Sequence, residues 1–295
     1  MSDNQRGAFY MMAAMFTFLV NDGLIKSLAS AMTPLQALGL RSLLAAVILW
    51  PILRLRGIPI RGFRRRDRGL ILVRSLSDTA ASGVYISALF MMPLADATAI
   101  LQVLPLTITL AGALFLGERV GWRRMLAILV GFGGVMLILR PGTQGIERGA
   151  LLALGAVVLV TTREILTRAL SKDVPSLSVA FYTVVSSGTL CLATIPWLPW
   201  QPLGLESLGK LLLTTLMVSF GYYFNVMAVR TGELAAVDPF RYSSLVFAIV
   251  IGFVVFGEVP EVLTLVGASL VAATGVFTLW REQKVKSAAE VSQQG

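Results

Sequence analysis

Histidine is absent from this chain of 295 residues, and cysteine occurs once. The first absence removes imidazole proton relays, Ser-His triads and the usual zinc sites together. The second rules out an internal disulfide, and Cys191 lies in an apolar run where packing is its expected use. Charge is scarce too: Asp, Glu, Lys and Arg make up 14% of the chain, against roughly 25% in soluble domains. Hydrophobic residues make up 56%, and mean hydropathy is +0.79. A water-soluble fold of this length cannot hide that much apolar surface, so the chain reads as an all-α integral membrane protein. The charge present is lopsided, +9 net with 20 arginines to 5 lysines. Its basic residues sit in short clusters between apolar runs, which orients a polytopic membrane protein and does not suit a nucleic acid partner. No cleavable leader is expected, because the first apolar run passes Val20 without a small-residue cleavage site.

Apolar windows of spanning length predict ten helices, at 7–30, 34–54, 69–92, 94–116, 121–140, 147–170, 175–197, 206–230, 234–256 and 260–281. Pro34, Pro93, Pro141, Pro175 and Pro260 sit near the junctions, where a missing N–H does least harm. With the N-terminus inside, 17 Lys and Arg fall near cytoplasmic helix ends and 4 near outer ones. Both termini are therefore expected in the cytoplasm. The run RLRGIPIRGFRRRDR is read as orienting charge, with anionic lipid head groups as the alternative. The polar residues 285–295 are expected to be a disordered cytoplasmic tail.

Two stretches of the chain resemble each other. Leu94–Glu118 reads LADATAILQVLPLTITLAGALFLGE and Leu234–Glu258 reads LAAVDPFRYSSLVFAIVIGFVVFGE. Both open with Leu-Ala, carry one proline and close with Gly-Glu, although only 5 of 25 positions are identical. The offset persists elsewhere: Gly7 with Gly149, Asp22 with Glu164, Lys26 with Arg168 and Pro34 with Pro175. The chain therefore divides at about residue 142, into 1–142 and 143–284. Five helices per half is an odd number, so the second half is expected upside down relative to the first. Inverted repeats are the architecture of secondary transporters, with the substrate path where the halves meet.

The segment YISALFMMPLADATAILQVLPLTITLAGALFLGE, its partner NVMAVRTGELAAVDPFRYSSLVFAIVIGFVVFGE, and the Gly-Val pairs at 134–135 and 275–276 resemble the EamA-type drug/metabolite transporter superfamily over residues 7–282. In length and helix count the chain is similar to its bacterial exporters of amino acids, including aromatic ones, and of other metabolites. The resemblance implies two inverted five-helix repeats around a central cavity lined by the third, fourth, eighth and ninth helices, with parts of the first and sixth.

Charges within membrane helices are costly and tend to face a cavity. Asp22 and Lys26, Arg74 and Asp78, and Glu164 and Arg168 are each four apart on one helix and are expected to pair. Arg163 stands beside Glu164, Arg41 stands alone, and Asp238 and Arg241 flank Phe240. Asp22 and Glu164 recur at matched depth in the two halves and, with Asp238, are the candidates for coupling to protons. Asp78, Ser82 and Tyr85 form one stripe, continued on other helices by Gln102, by Tyr222, Tyr223 and Asn225, and by Arg241, Tyr242 and Ser244. These ten residues are the candidate substrate-binding set. Pro105 frees the carbonyl of Leu101 for a substrate ammonium or hydroxyl. Glu118 and Glu258, each just before a following helix, are expected to cap it. Gly112 and Gly252, matched between the halves, are expected to permit close helix contact.

The expected function is export of small metabolites, foremost amino acids including aromatic or hydrophobic ones, across the bacterial inner membrane by alternating access. Uptake of a nucleoside-like metabolite and efflux of drugs are the alternatives within the carrier class. An intramembrane enzyme would want Ser with His, paired aspartates or an acidic Mg²⁺ cluster, and a channel a selectivity ring; neither pattern is visible. The expected partners are the solute, the bilayer and coupling protons, with no nucleic acid, cofactor or metal. A monomer or weak dimer is expected.

Overall fold

A serine hydroxyl starts the first helix. In the computed structural model, which describes residues 2–115, 117, 121–139, 147–171, 173–198 and 200–294, with side chains as far as residue 281 apart from 234 and 235, Ser2 accepts from the Gln5 backbone N–H while Gln5 returns a bond to Ser2. This capping box opens α1, Asp3–Lys26. Thr33 and Pro34 open α2, Pro34–Leu55, in the same economical way. Then follow α3 (Arg65–Leu89), α4 (Leu94–Leu101), α5 (Leu104–Phe115), α6 (Trp122–Leu139), α7 (Arg148–Arg168), α8 (Ser176–Ala193) and α9 (Leu205–Thr231). The chain ends with α10 (Leu234–Val237), a tight 3-10 turn (Asp238–Tyr242), α11 (Ser243–Phe256) and α12 (Val262–Gln294).

Nine stretches among the described residues are long and apolar enough to cross a membrane. The third expected span, α3, is long enough but carries Arg65, Arg66, Asp67, Arg68, Arg74 and Asp78. Its polar side chains are spent on neighbours: Arg74 donates to Thr183 and Thr167, and Thr79 meets Ser187 at 2.7 Å. α12 continues through the stretch expected to be a disordered tail; its Glu, Lys, Ala and Gln are strong helix formers.

Two expected single helices are each broken. The span from Leu94 stops at Gln102 and restarts as α5, and the span from Leu234 passes through the 3-10 turn before α11. Pro105 and Pro239 sit at these breaks. A proline has no N–H to give the preceding turn and its ring crowds the carbonyl four residues back.

The halves pair reciprocally. α1 packs along α9 and α3 along α7; α2 meets α8, α4 meets α11, and α6 meets α12. The first span thus meets the third, the third meets the first, and the second, fourth and fifth each meet their counterpart. The largest apolar core, with Leu94, Ile100, Leu106, Ile128 and Val271 buried, lies where α4, α5, α6 and α12 converge.

Candidate functional site

Polar side chains collect at three places in the bundle. At the first, the two broken helices meet: Gln102 Nε2 donates to the backbone carbonyl of Arg241 at 3.3 Å. The Arg241 guanidinium turns back to Asp238 at 3.4 Å. Next to it in the chain, the Ser243 and Ser244 hydroxyls are buried with no hydrogen-bond partner among the described residues; Asn225 Oδ1, elsewhere on α9, is likewise buried without one. Buried polar atoms are nearly always satisfied, so such orphans mark where water or a solute completes the shell. Tyr242 is also buried, its hydroxyl pressed against α12 where Gly275 leaves no side chain in the way. It pins the break to α12.

The second place joins α1, α2 and α3. Tyr85 donates to Asp22 Oδ2 at 3.0 Å and Asn21 donates to Asp22 Oδ1 at 2.9 Å. Arg41 reaches Asn21 at 3.4 Å, and Asp22 is held by two neutral donors, with no cation in direct contact among the described residues. Two helical turns away along α3, roughly 10 Å, lies an ion triad. Arg163 Nη1 contacts Asp78 at 2.6 Å and Nη2 contacts Glu164 at 2.6 Å. Tyr222 lies within electrostatic reach of Arg163 and packs edge-on against Phe18, ring centroids 5.3 Å apart. Phe18 is one turn before Asp22 on α1, and Tyr222 itself is 61% exposed. Ser82 is half-buried between Asp78 and Tyr85 on α3.

At the third place, one end of the bundle, Lys26 Nζ contacts Glu258 Oε1 at 2.5 Å and donates to the Met92 carbonyl at 2.5 Å. Glu258 Oε2 accepts the Leu94 backbone N–H at 2.8 Å. Gly257 aims the carboxylate: at φ 67° it takes the left-handed turn that ends α11 and turns the chain back. A methyl group at Gly252 would lie 3.2 Å from Glu258 Oε2, so this glycine makes room for the latch. The space was expected to serve helix contact.

Two of the expected pairings within single helices are replaced by pairings between helices, and the third by a neighbour on the same helix. Asp22 takes Tyr85, not Lys26; Asp78 takes Arg163, not Arg74; Glu164 takes Arg163, not Arg168. An exposed pair within a helix gains only about 0.2–0.5 kcal/mol. A pair across a drier gap gains more because the surroundings screen it less. Glu258 caps α4, which begins 164 residues before it, and not the helix that follows it. Glu118 lies outside the described residues. Arg163, absent from the expected binding set, is the central cation of the triad. Tyr223 is exposed, as Tyr222 is, and falls on the apolar stripe of Leu212, Leu216 and Phe220 along α9.

The profile of the EamA-like transporter family matches residues 5–140 and again 147–280. A riboflavin transporter of Vibrio cholerae is 26% identical over 285 residues, 95% of either chain. An S-adenosylmethionine uptake transporter of Rickettsia prowazekii is 24% identical over 97% of either chain. The pseudopaline exporter CntI of Pseudomonas aeruginosa is 26% identical over 90% of this chain and 93% of its own. A crystal structure with 18% identity superposes with a TM-score of 0.65 over 94% of this chain and 98% of its own, a likeness of fold. The chain belongs to the EamA-like transporter family and is a multi-pass membrane transporter of small molecules.

Proposed function

We propose that the chain is a secondary carrier whose two five-helix halves, inverted relative to each other, pass a small zwitterionic metabolite through the seam they share. The observation that carries this reading is the meeting of two broken helices at Gln102 and Arg241, followed in the chain by serines whose hydroxyls have no hydrogen-bond partner among the described residues. Interrupted helices at the junction of two repeats are how carriers build a site in mid-membrane. The reciprocal helix pairing supports the inversion, and α3 supplies the tenth span with Arg74 and Asp78 turned towards α7 and α8.

The relatives' named cargoes differ from one another, so the cargo is read from this site. Asp22 offers a carboxylate for an ammonium group, Arg163 a guanidinium for a carboxylate, and Phe18 with Tyr222 an aromatic wall between them. An amino acid or amino-acid conjugate with a hydrophobic or aromatic side chain fits that order of groups. The Lys26–Glu258–Leu94 contacts form the gate at one end. With the termini in the cytoplasm of a bacterial inner-membrane protein, that end is the outer one, and a site open at the other end loads from the cytoplasm for export.

Counterflow in proteoliposomes tests the cargo. Labelled phenylalanine is expected to exchange saturably and to be displaced by other hydrophobic amino acids, with nucleosides and quaternary cations inert. Exchange of nucleosides or cations and of no amino acid would overturn the zwitterion assignment. A flux that never saturates would make the protein a channel.

Asp22 is the leading coupling residue, because its partners are neutral donors and a proton can replace one of their contacts without breaking an ion pair. Asp22→Asn is expected to abolish accumulation driven by a pH gradient and to weaken counterflow as well, since the same carboxylate carries the proton and meets the cargo's ammonium. Undiminished gradient-driven accumulation in this variant would remove Asp22 from the coupling step.

A further inference from the structure

Apart from the transport pathway, a groove of about 470 Å³ opens where α2 ends, lined by Trp50, Leu53, Arg54, Arg61 and the backbone of residues 57–60. We propose that this groove is a binding site for the phosphate head group of an anionic phospholipid.

The groove is built, not left over. After α2 the chain turns at Gly57 and Gly62, both with positive φ, so residues 58–61 form a short arch. Two side chains one turn apart on α8 hold it: Ser178 Oγ donates to the Pro59 carbonyl at 2.7 Å and Tyr182 Oη to the Ile60 carbonyl at 2.5 Å. Ser178 is wholly buried, so the tether is part of the packed interior. A run of arginines serving only to orient the chain has no need of a fixed loop.

The charges inside it are unmatched. Asp67, the one acid in the basic run, is buried and occupied by Ser171. Neither Arg54 nor Arg61 has a carboxylate partner among the described residues, although both line the groove. The central guanidinium carbon of Arg54 sits over the Trp50 ring, 4.5 Å from its centroid, and Trp50 in turn packs on Phe181 at 5.5 Å. A cation held on a ring face keeps N–H groups available, and a guanidinium can grip a phosphate with two parallel bonds.

The apolar surroundings say which phosphate. Trp50 stands where tryptophans gather at a membrane–water boundary. Val47 and Leu55, exposed on the same helix, offer acyl chains an apolar flank beside the groove. A basic pocket between spans at the head-group level is a recurrent form of lipid recognition.

The test uses the full chain in neutral detergent, titrated with phosphatidylglycerol or phosphatidylcholine and followed by native mass spectrometry and thermal unfolding. Phosphatidylglycerol is expected to bind and stabilise, and phosphatidylcholine to do neither. Arg54→Gln with Arg61→Gln is expected to weaken phosphatidylglycerol about tenfold, from the loss of two cations at the head group. Arg66→Gln with Arg68→Gln, the same charge change outside the groove, is expected to weaken it less than twofold. Inorganic phosphate is expected to have no effect. Equal weakening by both pairs would overturn the site in favour of diffuse charge. Equal binding of the two lipids, or full stabilisation by phosphate alone, would overturn the lipid. Should the first pair not fold, Arg54→Lys replaces it: the charge stays and the two-pronged contact goes, and unchanged phosphatidylglycerol binding there would likewise refute the proposal.

Discussion

Arg163→Ala is expected to lower counterflow at least tenfold while leaving the amount of folded protein in the membrane near that of the wild type. The guanidinium holds Asp78 of one half and Glu164 of the other at 2.6 Å each, with the three side chains 17–35% exposed. A hydrogen bond to a charged group is worth about 1.5–3 kcal/mol, and losing about 1.4 kcal/mol of cargo binding is a factor of ten. The variant also leaves two carboxylates facing each other across the seam. Arg163→Lys should recover only part of the activity, because one ammonium cannot present two fixed prongs to two carboxylates. Asp78→Asn should be milder than Arg163→Ala, since Arg163 keeps Glu164. Equal activity of Arg163→Ala and wild type would show the triad to be a structural clasp outside the pathway.

Glu258→Ala is expected to open the Lys26 end of the bundle. Glu258 there joins the end of α1, the start of α4 and the end of α11 through one carboxylate. Its charge also sits at a helix N-terminus, where free N–H groups favour an anion. Met92, whose carbonyl takes the second Lys26 contact, is 6% exposed. With Met92→Cys as reporter and Cys191→Ser as background, Glu258→Ala should raise labelling by an impermeant maleimide about tenfold, a shift of about 1.4 kcal/mol in favour of the open end. Glu258→Gln keeps an acceptor for Leu94 but loses the ion pair, so its rise should be smaller. Unchanged labelling in both would mean that the latch does not hold this end shut.

Much of this organisation was legible before any coordinates. The Gly-Glu endings, the prolines at junctions and the offset of about 140 residues locate the repeats, and the family profile falls on the same two stretches. Asp22, Tyr85, Asp78, Gln102 and Arg241 were visible because polar groups stand out in apolar helices, and the structure gives each a polar partner. What could not be read was who partners whom. Spacing along a helix shows only which side chains share a face, whereas Asp78–Arg163 and Lys26–Glu258 span 85 and more than 200 residues and depend on which helices lie together. For the same reason Arg163 stayed in the shadow of Glu164 beside it. The breaks were half-visible. Pro105 was seen to free the Leu101 carbonyl, but hydropathy averages over a window of spanning length and so carries an uninterrupted helix straight through Gln102 and Asp238.

The most direct measurement bridges the gate. In the Cys191→Ser background, Lys26→Cys with Glu258→Cys is joined by a short reducible bis-methanethiosulfonate, and amino-acid counterflow is followed before bridging, after it and after reduction. The expected result is that bridging stops exchange and reduction restores it, because solute crosses the seam only when this end parts. Exchange at the unbridged rate through fully bridged protein would contradict that route.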